Sequence, residues 1–264
     1  MNSLRAVFVY EWKRTLTLGR IAWWFAMAAF PVMITILIRT LSDLERIPDI
    51  EAQKSTWSVT LYVLIPCVCV ALSVLLTAAP AVASELEQRS WAYLATRPNG
   101  IFWLLLGKYL VSVTWGTTAA WLGTFLSVAL CGMNEPVRMM LSLSTLSLLS
   151  ALAYSAVYML VGAIFPKRAM VFCMMYTVIV ELVFGSIPAV INRMTVQFRL
   201  RTLFVNWMPL DERIKNESVF QYVMADGSSI VQCFWLLTMS VLFLVAAIVV
   251  AHRKEFTSAT EGDV

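Results

Sequence analysis

Long runs of apolar residues, separated by shorter polar segments, dominate the chain. A membrane-spanning helix needs roughly twenty apolar residues, and six stretches of the sequence are long enough. They are residues 21–41, 57–83, 101–131, 139–165, 169–191 and 229–251. Pro31, Pro66 and Pro188 lie within these stretches and predict kinks. We therefore predict an all-α membrane protein with six transmembrane helices in a single transmembrane domain, residues 1–264.

Two segments outside these spans have apolar residues at helical spacing. In residues 1–20 the pattern predicts an amphipathic helix in the cytoplasmic headgroup layer, with its apolar stripe at Leu4, Phe8, Trp12 and Leu16. In the longer outer loop before span six, residues 192–228, it predicts a short interfacial helix with a stripe at Val196, Leu200, Leu203, Phe204 and Trp207. The alternative for both helices is packing on protein instead of lipid.

Composition supports a membrane location. The 264 residues are 60% hydrophobic and 14% charged, whereas a soluble domain is about half apolar and a quarter charged. The five cysteines form no CxxC pair and lie in or beside apolar stretches, so neither a disulfide framework nor a thiolate metal site is indicated. The net charge of +4 is modest and does not favour a nucleic-acid partner.

Basic residues are distributed unequally between the two sides of the predicted spans. With a cytoplasmic N-terminus, one side carries Arg5, Lys13, Arg14, Arg20, Arg89, Arg97, Lys108, Lys167, Arg168, Arg253 and Lys254. Because cytoplasmic loops are enriched in Lys and Arg, this distribution predicts a multi-pass protein of the cell (inner) membrane with both termini in the cytoplasm. The outer loop disagrees, since it contains five basic residues: Arg193, Arg199, Arg201, Arg213 and Lys215.

Catalytic and nucleotide-binding motifs are missing from the sequence. His252 is the only histidine and lies at the end of a span, which excludes an HExxH zinc site, an intramembrane Ser–His pair and bis-histidine haem ligation. The segment from Gly100 to Lys108 resembles a phosphate loop only loosely, because six residues instead of four separate its glycines and Tyr109 replaces the Ser/Thr. We predict no enzyme activity and no directly bound cofactor; any ATP must be bound by another polypeptide.

The segment between spans two and three, residues 84–98, is the most informative polar stretch. It contains Glu85, Glu87 and Arg89, with Leu94 available for docking and Pro98 as a stop. This pattern predicts a short amphipathic helix at the cytoplasmic mouth of the spans. Such a helix can transmit the movement of a partner into the spans that it connects; a solvated helix without a partner is the alternative.

This segment resembles the coupling region of type 2 ATP-binding-cassette (ABC) exporter permeases, whose pattern is Glu-x-Glu-x-Gly-Thr, a leucine, a proline and then Gly-Lys. The matching residues are Glu85, Glu87, Leu94, Pro98, Gly107 and Lys108, and the layout of the whole chain is similar too. Arg89 and Ser90 stand where Gly-Thr is usual. The resemblance implies a permease that pairs with a second copy or a paralogue and engages two cassette ATPase subunits, which use the ATP.

Glu181 lies near the middle of the fifth apolar stretch. A carboxylate at the bilayer centre is costly and is by default a functional hypothesis; we consider a pathway-lining group, a proton acceptor and a polar anchor equally with a carboxyl that only bonds a neighbouring hydroxyl. Polar faces that could meet it lie on span three and span four, at Thr114, Thr117, Thr118 and Trp121 and at Ser147, Ser150, Tyr154 and Tyr158. Such hydroxyl stripes more often hold membrane helices together than line a pathway.

Three functions therefore compete. The first is ATP-driven export through a permease subunit, with the coupling segment linking ATP hydrolysis to inward- and outward-facing states. The second is a secondary transporter that uses Glu181 for proton coupling, although the first and last three spans show no repeat. The third is a membrane assembly subunit without transport of its own.

Overall fold

The computed structural model describes residues 3–44, 50–91, 93, 96–97, 99–132, 136–186, 192, 195–208 and 228–254. Every regular element in these ranges is helical. The α-helices are α1 (Ser3–Thr15), α2 (Leu18–Leu44), α3 (Ile50–Tyr62), α4 (Val70–Ala78), α5 (Ala83–Glu87), α6 (Gly100–Cys131), α7 (Pro136–Ile164), α8 (Ala169–Tyr176), α9 (Val196–Trp207) and α10 (Ser229–Arg253). The predicted all-α architecture is confirmed.

Five helices of the described part are long and apolar enough to cross a membrane. They cover Leu18–Leu41, Ser55–Ala81, Gly100–Cys131, Pro136–Ile164 and Ser229–Arg253, and each lies within three residues of a predicted span at both ends. The predicted fifth span, residues 169–191, is not among them. Its described part runs from Ala169 to Ser186 through α8, a π-helical segment and a short 3-10 turn.

The centre of the bundle is α7, which packs against α4, α6 and α10. Its fully buried side chains include Leu143, Leu146, Tyr154, Tyr158 and Met159. By contrast, α2 and α10 bury only about a fifth of their most apolar window within the chain. These two helices therefore present most of their apolar surface outward, which suits helices surrounded by lipid.

The described ranges contain two π-helical segments, at Val63–Cys69 in span two and at Thr177–Val183 after α8. The first contains Pro66, which has no amide hydrogen and whose ring clashes with the carbonyl one turn earlier in an α-helix. The wider π turn accommodates this ring, and the Ser150 hydroxyl of α7 donates to the Pro66 carbonyl at 2.6 Å. Pro66 thus distorts its helix without ending it.

Small residues allow close packing where span two ends. A methyl group placed on Gly162 of α7 would overlap with the Ala79 carbonyl oxygen. The two backbones are therefore in direct contact, in the manner of small-residue interfaces between membrane helices. This contact fixes the end of span two, and with it the start of the segment that leads to α5.

Both predicted amphipathic helices form, and both pack on protein. In α9, Val196, Leu200 and Leu203 are buried, and Phe204 stacks on Tyr62 of α3 with ring centroids 4.4 Å apart. In α1, Trp12 packs edge-to-face against Trp115 of α6, at 5.7 Å between centroids. The stripe of α9 is therefore present, whereas Leu16 of the N-terminal stripe lies beyond the end of α1 and is exposed. Both helices contact the bundle to a larger extent than we expected from the interfacial prediction.

Candidate functional site

A buried ion cluster joins α1, α5 and α6. The Glu85 carboxylate, 3% exposed, receives the Arg14 guanidinium and the Lys108 ammonium at one oxygen, each at 2.6 Å. The Ser90 hydroxyl donates to its other oxygen. One carboxylate therefore ties the N-terminal helix and the start of span three to the segment that follows span two.

Lys108 uses all its donors inside this cluster. Besides Glu85, its ammonium donates to the Ala81 carbonyl at 2.8 Å and to the Ser84 hydroxyl at 2.9 Å. A lysine has three N–H donors, so the buried charge is fully hydrogen-bonded. The ends of spans two and three are held together by these bonds.

The cluster keeps Glu85 ionised. Burial alone would raise the pKa of this carboxyl, but the charge of Lys108 and hydrogen bonds from Lys108, Ser90 and Arg14 lower it to about 2. A paired buried charge becomes an unpaired one when its partner is removed, and such a loss destabilises proteins by about 3–5 kcal/mol. The cluster is thus a rigid joint between the three elements.

Glu11 lies beside the cluster and is less well satisfied. Its side chain is buried, its Oε1 atom lies 3.5 Å from the Arg14 guanidinium, and this atom accepts no hydrogen bond within the described part of the chain. Burial raises the pKa of Glu11, while the charges of Lys108 and Arg14 oppose that rise. A buried carboxylate oxygen without a donor is unusual.

The helix α5 ends in a tight turn that closes on Glu85. The Ser90 amide donates to the Glu85 carbonyl, and the Arg89 amide to the Leu86 carbonyl, which is the hydrogen-bond pattern of a Schellman motif. Arg89 has a φ of 54°, in the left-handed region where this motif normally places glycine. The same turn brings the Ser90 hydroxyl onto the Glu85 carboxylate.

The predicted coupling residues divide into two groups. Glu85 is buried in the ion cluster, whereas Glu87 and Arg89 are exposed on the turn next to it. Leu94 and Pro98 lie outside the described residues. The predicted single helix over this segment is in fact interrupted, because α5 ends at Glu87. Only Glu87 and Arg89 of the acidic-basic group are placed to meet a partner directly.

Glu181 lies in a second polar cluster, at the N-terminus of α9. Its carboxylate accepts hydrogen bonds from the amides of Val196, at 3.2 Å, and Gln197, at 2.9 Å. It also accepts from the hydroxyls of Tyr176, at 2.8 Å, and Tyr154, at 3.5 Å. All four partners are donors, which suits an ionised carboxylate at the positive end of a helix.

Thr195 completes the N-terminal cap of α9. Its hydroxyl accepts from the Phe198 amide at 3.2 Å, so with the two bonds to Glu181 the first three amides of the helix are satisfied. The Gln197 side chain then donates to Tyr154 at 2.8 Å and accepts from Tyr62 at 3.2 Å. The cluster therefore connects α9 to α3, to α7 and to the π-helical segment Thr177–Val183, which contains Glu181.

The other intramembrane candidates do not bond to Glu181. Tyr158 stacks on Tyr154, with centroids 5.6 Å apart, and shares a hydrogen bond with Thr177. Thr114 and Thr118 donate to carbonyls of their own helix. Thr117 is buried, and its hydroxyl has no hydrogen-bond partner in the described ranges. The structure thus brings Glu181 to Tyr154 but not to the threonines of span three.

Sequence reasoning missed several members of both clusters. Arg14 was considered only in the distribution of basic residues, and no partner was predicted for Glu11, Tyr176 or Gln197. A usable signal was present for Lys108, because a lysine within a long apolar run needs a carboxylate nearby. No local pattern identifies Gln197, since its partners are distant in sequence.

No group of three or more His, Cys, Asp or Glu side chains that could hold a metal ion occurs in the described ranges. What the two clusters offer chemically is charge pairing and helix capping. A comparison of the chain with models of known protein families finds no match, and a comparison with curated proteins finds none either.

Proposed function

We propose that this protein is the membrane-spanning permease subunit of a type 2 ABC exporter. It crosses the cell membrane six times, with the stretch from Ala169 as the additional span, and both termini lie in the cytoplasm. A second copy or a paralogue completes the pathway. Two separate cassette ATPase subunits bind and hydrolyse the ATP.

The observation that carries this proposal is the ion cluster around Glu85. A partner that presses on the exposed turn at Glu87 and Arg89 pushes on a segment whose neighbour, Glu85, is bonded to α1 and to span three. Because buried ion pairs resist separation, the push moves these elements together. A coupling device needs this combination of an exposed contact and a rigid connection.

The backbone conformation of the turn is compatible with the family resemblance and so supports the proposal. The pattern of these permeases has Gly-Thr where this chain has Arg89-Ser90. Arg89 adopts the left-handed conformation that glycine favours, and Ser90 supplies a hydroxyl to Glu85, as a threonine can. The departure in sequence is therefore compatible with the same turn.

The geometry gives the proton-coupled alternative less support. Glu181 accepts four hydrogen bonds, two of them from backbone amides that bond to different carboxylate oxygens. Protonation would turn one of these oxygens into a hydroxyl, which needs an acceptor of its own and is a poorer partner for the donors around it. This arrangement favours the polar-anchor interpretation of Glu181. A membrane assembly subunit without transport remains as an outcome of the experiment below.

The proposal is tested by purifying the solubilised protein from its native cells and assaying bound ATPase activity. We expect a cassette ATPase to co-purify with the wild type and to be lost in a Glu87→Ala, Arg89→Ala double variant. A Lys167→Ala variant, on another exposed loop, is the control and should retain it.

Glu85 is left intact because its removal would disturb folding. Intact protein that repeatedly brings down no ATPase contradicts the proposed function. An ATPase that binds the double variant as well as the wild type contradicts the assignment of the contact surface.

A further inference from the structure

A small polar cavity lies beside the ion cluster. Its volume is about 40 Å³, and it is partly open to the outside. Charged and polar side chains of its lining are Glu11, Arg14, Thr15, Arg20, Thr77, Ser84 and Lys108. A water molecule needs about 10–15 Å³ measured in this way, so the cavity has room for a polar group larger than one water. Its wall combines these side chains with apolar surface from Pro80, Ala81 and Val111.

The cavity lies at the level of a membrane surface. The first membrane-spanning helix begins at Leu18, the second ends at Ala81 and the third begins at Gly100, and the lining residues come from near these three ends. Consecutive spans cross in opposite directions, so these ends belong to one face of the bilayer. Lipid headgroups are therefore the molecules that this opening meets at high concentration.

Two charged side chains of the lining are incompletely satisfied. Glu11 is 5% exposed, and its Oε1 atom has a 3.5 Å ion pair with Arg14 but no hydrogen-bond donor within the described part. The half-buried guanidinium of Arg20 makes one long hydrogen bond, 3.5 Å to the Thr15 hydroxyl. Each charge influences the other electrostatically, but the two do not form an ion pair across the cavity. A gap between opposite charges is room for a bridging group.

The remaining cations are already engaged. Lys108 gives all three of its donors to Ala81, Ser84 and Glu85. Arg14 is paired with Glu85 at 2.6 Å and, at the longer distance of 3.5 Å, with Glu11. The cavity therefore offers one acceptor, the Glu11 carboxylate, and one donor fork, the Arg20 guanidinium. A complementary ligand carries an N–H or O–H donor a few atoms away from an anion.

We propose that this cavity binds the headgroup of phosphatidylethanolamine, with the ammonium on Glu11 and the phosphate on Arg20. A guanidinium matches a phosphate in planar, paired hydrogen bonds, and a primary ammonium supplies the donor that Glu11 lacks. Phosphatidylcholine has the same phosphate but no N–H, so it leaves Glu11 unsatisfied. Phosphatidylglycerol offers hydroxyl donors without the positive charge. The inference does not depend on the transport function.

The test is native mass spectrometry of the full-length protein, titrated with each of the three lipids with identical acyl chains. We expect phosphatidylethanolamine to bind about tenfold more tightly than phosphatidylcholine, which corresponds to one charge-assisted hydrogen bond. Glu11→Gln should reduce that preference to about threefold or less. Arg20→Ala should weaken the binding of both lipids and leave the preference unchanged, because the two lipids carry the same phosphate. Lys13→Ala, which removes an exposed charge on the same helix as Glu11, should leave both the binding and the preference unchanged.

A second measurement on the unaltered protein keeps the inference testable if the variants fold poorly. Stepwise methylation of the ethanolamine nitrogen retains an N–H until the third methyl group is added. Affinity should therefore persist through the dimethyl lipid and fall at phosphatidylcholine. Equal affinity across the series, or phosphatidylglycerol binding as tightly as phosphatidylethanolamine, would overturn the proposal.

Discussion

Arg89 illustrates how one backbone angle can determine a residue's contribution. A left-handed φ of 54° is unfavourable for any side chain with a Cβ, and glycine adopts it freely. We expect Arg89→Gly to stabilise the protein by about 1 kcal/mol. The measurement is thermal unfolding in detergent or nanodiscs.

The adjacent residue provides a matched control for this prediction. Gln88 is also exposed but has an ordinary φ of −83°, so Gln88→Gly gains nothing from glycine's freedom and should be neutral or destabilising. If both substitutions shift the unfolding temperature equally, the strain at Arg89 is not the cause.

For single residues, the sequence predicted which side chains belong to the site better than it predicted what each of them contacts. Glu85 and Glu87 were predicted together as an acidic pair, yet the structure buries the first and exposes the second. The difference depends on the direction of the chain at the α5 turn and on the distant partners Arg14 and Lys108. Neither is visible in residues 84–98, because contacts across 71 and 23 positions do not follow from local spacing.

Among the helices, α9 depends most on a residue outside itself. Glu181 satisfies two amides of its first turn, and hydrogen bonds to a charged group contribute about 1.5–3 kcal/mol. We expect Glu181→Gln to destabilise the protein by about 2 kcal/mol. Amide exchange at Val196 and Gln197 should become faster in this variant.

Tyr176→Phe is the comparison variant for this prediction, because it removes one hydroxyl donor and leaves both amide bonds to Glu181 in place. It should be destabilising by about 1 kcal/mol, without a change of exchange at the start of α9. Unchanged exchange in Glu181→Gln, together with an altered pH dependence of transport, would contradict the anchoring role.

Element boundaries were predictable because they follow hydropathy. Five of the predicted spans coincide with long apolar helices to within three residues. The π-helical turns around Pro66 and Glu181 were not predictable, since α-helical and π-helical turns of a membrane span have the same hydropathy. The apolar pattern also could not predict that α1 and α9 pack on protein, because an apolar stripe fits lipid and protein surfaces equally.

The number of membrane crossings determines where the two chain ends lie. Five crossings would place the termini on opposite sides of the membrane, and six place them on the same side. We expect six, and therefore expect epitope tags at both ends to be protected from protease in right-side-out vesicles. In inside-out vesicles both tags should be cleaved.

The control for this experiment is a tag whose side is known on another membrane protein in the same vesicles. One tag cleaved and the other protected in either preparation would contradict six crossings. In that case the stretch from Ala169 to Ser186 would not cross the membrane. The basic outer loop, which disagrees with the predicted orientation, makes this the most informative measurement on the whole molecule.

The ion cluster also has a consequence for the order in which the chain is made. Synthesis proceeds from the N-terminus, so Arg14 exists before Glu85, and Glu85 before Lys108. Each charge that becomes buried therefore meets an opposite charge already present. Lys108 can enter the bundle as half of an ion pair, and the third span need never carry an uncompensated charge while the remaining chain is still on the ribosome.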